Sequence, residues 1–565
     1  MARRSLPSTD SSPTSFYSSK EEDSELTSKS TTASTPTTGS PCQYRTAREL
    51  PHELKEHCQI FLEEQLYTCA INLLSSILGS GISRSSPSGK PVPVPPPSHL
   101  ALLSTIAVHP LHTTRVDKPE HIDVSSLALS YLRNVLKVVG PLHADFRTAF
   151  QFRSTPRWNR RATGHTGHDS DSDMSDGESE GARDALRGRI ANEGSVWTKG
   201  QDFWSTVGWA FHCCTLMPHR WRYWKAWLEF MLDVLDADWE ERRRRDLEDY
   251  EIRGRIGEVP TMWRAESMLV MYMDQKDGRH SGPKAIMKAL FAYNGSISSS
   301  SFQEVFDKEH KRPRQRGKKR KREAVLDLAN DKFGDYCDED ESISSGVSEP
   351  PTPHKQRTKS EASGVGAGMI ESIQLRLRLF RLLSVATDDL GKQTELNRLY
   401  EDFAASMKLL PLDIFALFVS HRPDVLLRPS QITLTRELFH LLLPSSYKDP
   451  RKVDPEGDSL GSLTMPMLEH CYVCYPANTI GLEDNAKLSL LVESAIQLLW
   501  LCDMIEYTDS FANAVDKGIE ARVKKAQRKR TGRIKADASD SHAFNVMEAS
   551  ADRIRILLDV LSAST

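Results

Sequence analysis

Apolar residues in this chain recur mainly at three- and four-residue intervals, the period of an amphipathic helix, in blocks separated by long polar stretches. The first block covers about 45–152. Within it, 53–62 and 65–78 read as a helical hairpin, with Cys69, Leu73, Leu74, Ile77 and Leu78 on one face. Gly79 and Gly81 supply a stop signal. Residues 83–98 are Pro-rich and read as an extended connector. Helical periodicity resumes at 98–108 and 122–150, where Leu127, Leu129, Tyr131, Leu132, Val135 and Leu136 form a broad face.

The second block, 196–295, is the most apolar. Seven of the ten tryptophans lie between Trp197 and Trp239. After Pro218, the residues Trp221, Trp224, Leu228, Met231, Leu235 and Trp239 step by 3, 4, 3, 4 and 4. Phe203, Val207, Ala210 and Cys214 keep the same rhythm before it, so the two segments are expected to fold back as an antiparallel helix pair. Each buried ring removes roughly 150–250 Å² from water, which makes this pair the expected main core. The second helix then runs into 240–249, which reads as charged on every side. Further helices are expected at 260–274 and 282–293.

The third block spans 365–565. Residues Ile373 to Leu379 alternate like a strand, but the apolar pattern continues to Ala386 and favours a helix. The stretch from Leu488 to Cys502 carries Ser489, Glu493, Ser494 and Gln497, so it reads as a buried helix and not a membrane span. Near the end, Phe544, Met547, Ala551, Ile554, Leu558 and Leu561 make a seam that needs a partner helix. Neither hairpin nor βαβ rhythm is present, and no repeat period is detectable. The expected fold is all-α: an irregular or α-solenoid-like helical array in two lobes, with long disordered insertions.

Those insertions are the polar stretches. Residues 1–44 are Ser/Thr-rich. Residues 153–195 place Arg153, Arg157, Arg160 and Arg161 before an acidic run at 169–180, and 296–364 hold a basic and an acidic run. Such like-charge density resists packing, so all three are expected to be solvated. Deleting 296–364 is accordingly expected to leave the fold intact.

Composition sharpens the picture in two ways. A net charge of −3 with 27% charged residues argues against a chain that coats nucleic acid along its whole surface, while leaving room for basic patches. The nine cysteines are scattered and several sit in apolar helical patterns, the usage of a reduced intracellular protein. The polar N-terminal stretch lacks a signal-peptide pattern, and no apolar run suits a membrane.

Catalytic signatures are not apparent. The string from Gly81 ends Gly89-Lys90-Pro91, with the wrong spacing for a P-loop. His470, Cys471 and Cys474 have no second half-site for zinc. His109, His112, His121, His143, His165 and His168 lack the partner motifs that catalysis or metal binding needs. We therefore expect no enzyme activity, metal, cofactor or small-molecule substrate.

The strongest functional signal is a dense basic run: Lys311, Arg312, Arg314, Arg316, Lys318, Lys319, Arg320, Lys321 and Arg322. Clustered Lys/Arg in a polar segment suits an importin groove, hence nuclear import. A second cluster, Arg522, Lys524, Lys525, Arg528, Lys529 and Arg530, follows a helical pattern and is a candidate contact for DNA, RNA or an acidic partner. The stretch 219–225 interleaves Arg and Lys with Trp and Tyr, as stacking platforms do. Its helical spacing favours core packing instead. Thr352 precedes a proline with a base at +3, and Ser170 and Ser175 have acidic residues three positions on, so these are candidate phosphosites. Together these features point to a nuclear scaffold or adaptor that binds other protein subunits in transcription, chromatin or genome maintenance. The rival expectation is a direct nucleic-acid-binding or ribonucleoprotein-assembly factor.

Overall fold

The computed structural model describes residues 44–83, 91–116, 123–152, 186–255, 257–275, 282–293, 302–309, 366–420, 425–530 and 538–564. It is all-α, as the periodicity predicts. The one sheet among the described residues is a parallel ribbon of two three-residue strands, β1 (Ala47–Glu49) and β2 (Val92–Val94), with Ala47 opposite Val92. Of the Pro-rich connector's described residues, Val92–Val94 are extended and paired, whereas Ser83 still belongs to the helix before it and Pro97 and Ser98 open the helix after it.

The helical hairpin forms as α1 (His52–Glu63) and α2 (Tyr67–Ser83). The glycines do not stop α2: both Gly79 and Gly81 lie inside it, and Gly79 has open space around its Cα. α2 and α3 (Pro97–Val108) both pack on α4 (Val124–Val138).

The Trp-rich pair is α5 (Phe203–Leu216) and α6 (Pro218–Ile252), which pack on each other. Asp202 caps α5, its Oδ1 accepting from Ser205 N at 2.7 Å. Pro218 opens α6, where its missing N–H costs nothing. Short turns of helix at Met262–Ala265 and Met268–Met273 follow, then α7 (Gly282–Leu290). The charged end of α6 is not solvated all round. Asp238, Glu241, Arg242 and Asp246 are buried. Arg242 Nε donates to Asp238 at 2.9 Å, and Arg264 Nε to Asp246 at 2.9 Å. A 35-residue helix can carry this face because those ions pair across it.

The strand-like alternation at 373–379 lies inside α8 (Ala367–Asp389). Buried side chains cover most of its circumference, which is why no single stripe was visible. The third block continues with α9 (Gln393–Lys408), α10 (Leu412–Val419) and α11 (Arg428–Leu442). A π-helical turn (Leu468–Val473) leads to α12 (Leu482–Leu501), α13 (Asp509–Arg530) and α14 (Ala538–Ser564). The seam on α14 finds its partner within the chain, on α12. Met547, Ala551, Ile554, Leu558 and Leu561 are buried, and Glu493 of α12 accepts from Ser550 at 2.8 Å and from Arg553 at 2.6 Å.

From Tyr44 onward the described residues form one compact unit with one continuous apolar core, rather than the two lobes expected. α8 joins the halves by packing on both α6 and α9.

Candidate functional site

The tryptophans build the site because each indole must place one N–H as well as bury its rings. Trp221 and Trp224 of the mixed basic–aromatic stretch are buried on α6, as is Trp227 beyond it, so its indoles serve core packing, while Arg222 is exposed. Trp227 Nε1 donates to Ser104 Oγ at 3.0 Å, and Trp204 Nε1 to the Tyr272 carbonyl at 2.8 Å. Trp209 Nε1 (3.2 Å) and Trp224 Nε1 (3.1 Å) converge on one atom, Oε2 of Glu309. Arg220 Nε donates to the same oxygen at 3.1 Å. Both members of this ion pair have side chains with no solvent exposure.

Arg220 ties three segments together. Its Nη1 donates to Thr113 Oγ1 and its Nη2 to the Val108 carbonyl, each at 2.6 Å. Beside it, burial and then the neighbouring positive groups, His112 foremost, push the His109 imidazole down to about 3. His109 Nδ1 accepts from Leu111 N, and its ring meets Phe306 edge-on at 4.8 Å.

Glu309 belongs to the segment 302–309, placed by sequence reasoning in a solvated insertion. That expectation is corrected here: Val305, Phe306 and Glu309 are buried. The segment folds in because Gly208 of α5 leaves room for a ring; a Cβ there would come within 2.1 Å of Phe302. Within the segment, Phe306 N donates to Glu309 Oε1 at 3.0 Å and Glu309 N to Glu304 Oε2 at 3.1 Å. Arg115 reaches the carbonyls of Asp307 and Lys308. A Phe-x-x-x-Phe-x-x-Glu spacing amid polar residues was the available clue. Residues 186–195 likewise belong to the body: Leu186 is buried, and Ser195 caps the turn Val196–Lys199.

Two members of the second basic cluster, Arg522 and Lys525, prove structural. Gly518, Arg522 and Lys525 share one face of α13, laid against the chain leaving the π-helix. A Cβ on Gly518 would meet the Val473 carbonyl at 1.8 Å. Arg522, fully buried, donates through Nη1 to the carbonyls of Val473 (3.1 Å) and Tyr475 (3.5 Å). Burial pushes its guanidinium down to about 10, against the opposing pull of Cys474. Lys525 Nζ donates to the Ala477 and Asn478 carbonyls. Arg522 is thus no surface contact for nucleic acid, because it holds peptide carbonyls away from water; Lys524 is exposed. The side chains of Arg528, Lys529 and Arg530 lie outside the described residues, as do the whole run 311–322, Thr352, Ser170 and Ser175.

Cys471 is buried in the π-helical turn, its thiol raised to about 11 by burial, and Cys474 Sγ lies 3.7 Å from the His470 carbonyl. Among the described residues no group of three or more His, Cys, Asp or Glu is arranged to hold a metal. A cavity of about 70 Å³ sits among α8, α10, α11 and α12, lined by Leu377, Phe418, Leu434, Leu438, Leu491 and Ser494. A cleft of about 360 Å³ runs beside the β1–β2 ribbon, with Arg48, Lys55, His143 and Asp145 on its walls. Among the described residues no helix is long and apolar enough to cross a membrane.

Fold and site together define an all-α protein with a single helical body and a returning segment anchored in its aromatic core. No known protein family, curated protein or solved structure matches the chain.

Proposed function

We propose that this chain is a non-enzymatic nuclear scaffold or adaptor, a subunit of a multi-protein complex acting in transcription, chromatin or genome maintenance. The observation that carries the reading is the mounting of the long stretch 310–365. Its first neighbour, Glu309, is buried in the tryptophan core, and shortly after its end Met369 and Ser372 are buried in α8. The residues that flank the stretch holding the basic run and Thr352 are thus anchored in the body on either side. Importin is the partner proposed for Lys311 to Arg322, and other protein subunits for the body. The charged groups of the core support the same reading: Arg220, Arg376 and Arg522 are committed to carbonyls, hydroxyls or one carboxylate of this chain.

The nucleic-acid reading keeps Lys524, Arg528, Lys529, Arg530 and the 311–322 run, and it predicts salt-dependent binding by the purified chain. The deciding experiment changes the nine Lys and Arg between 311 and 322 to Gln in the full-length chain. Exclusion from the nucleus with an unchanged melting curve is expected. Continued nuclear accumulation removes the import assignment, and loss of salt-dependent DNA or RNA binding in the same variant favours the rival. Purification from nuclear extract followed by mass spectrometry then identifies the complex.

A further inference from the structure

The segment 302–309 is built like a bound peptide. Among the described residues it forms neither helix nor strand, and no backbone–backbone hydrogen bond ties it to the body. Side chains hold it instead: Phe302 over Gly208 and under the Lys288 ammonium, Phe306 between His109 and Trp224, and Glu309 at the end of the slot. The slot carries a fixed positive charge. Arg220 is fully buried, and Glu309 is the one carboxylate paired with it among the described residues. Two indole N–H groups aim at the same point. An empty slot would leave a buried cation and two buried donors unmet, so its chemistry calls for an anionic occupant.

We propose that this slot is a docking site for an extended peptide with two aromatic residues four apart and a glutamate three further on. The chain's own Phe302, Phe306 and Glu309 fill it in cis, and a partner protein presenting the same spacing competes for it in trans. Opening the slot breaks no helix, since among the described residues the segment is held by side-chain contacts and the Arg115 bonds, and elements held this way open locally rather than with the whole fold. The inference deepens the adaptor reading by naming a partner's chemistry. It can fail while nuclear import and complex membership stand.

The test uses a fluorescently labelled peptide of residues 301–310 and the full-length chain. A double variant, Phe306→Ser with Glu309→Ala, vacates the slot. The variant is expected to bind the peptide at least ten-fold more tightly than the unmodified chain does. Adding Arg220→Gln to it should abolish that binding. Equal binding to both chains, or no binding by a variant with a native cooperative melt, overturns the proposal. Should the double variant fail to fold, hydrogen exchange on the unmodified chain decides. The amides of Phe306 and Glu309 should exchange at least ten-fold faster than those in the middle of α5 and α6. Exchange at the rate of those helices would make the segment a fixed core element.

Discussion

Glu309 neutralises a guanidinium and accepts from two indoles at once, so replacements at this position separate charge from hydrogen bonding. Glu309→Ala removes everything and strands a buried cation, which costs about 3–5 kcal/mol. Glu309→Gln keeps a carbonyl oxygen for the indoles and should cost distinctly less; urea denaturation of both variants measures the difference. Trp224→Ala is expected to fall in the range of about 3–5 kcal/mol typical of a large core aromatic. His109 adds a pH dependence. Its imidazole falls from 6.5 to about 3 in the fold, chiefly through burial. The unfolded chain therefore binds a proton that the native chain does not between those values. Stability from this group is complete above about pH 6.5 and declines as the pH drops, by up to roughly 1.4 kcal/mol per unit. His109→Asn retains an acceptor for Leu111 N, and its urea midpoint should fall less between pH 7 and pH 5 than that of the unmodified chain.

The helices were legible in the sequence wherever one stripe of apolar residues marked one buried face. α14 is of this kind; in α5 and α6 the three- and four-residue steps still showed although burial extends beyond one face. α8 was harder, since burial on most sides erases the contrast that periodicity measures. The charged end of α6 was misread for a related reason: Asp238 and Asp246 look like solvent residues until Arg242 and Arg264 are seen beside them. The basic cluster on α13 carried the opposite trap. Spacing of four and three puts Gly518, Arg522 and Lys525 on one face, and the glycine is the mark of close backbone approach rather than of a ligand surface. Arg522→Gln should lower the melting temperature by several degrees, whereas Lys524→Gln should leave it unchanged; differential scanning fluorimetry separates them. Gly518→Ala should act like the former, since its Cβ has no room beside Val473.

At the scale of the whole molecule, the boundary between body and insertion was the least legible feature. A mostly polar stretch of eight residues offers too few apolar positions to show a period, and its burial depends on a cavity, over Gly208, made by residues a hundred positions away. The deletion of 296–364 that composition alone recommends would therefore take the Glu309 anchor with it. The most direct measurement compares two truncated chains by thermal unfolding. One has 310–365 replaced by a short Gly/Ser linker, and the other loses 302–309 as well. The first should melt as the full-length chain does, and the second several degrees lower with a broadened transition. Equal melting of the two would contradict the claim that this segment is mounted in the tryptophan core.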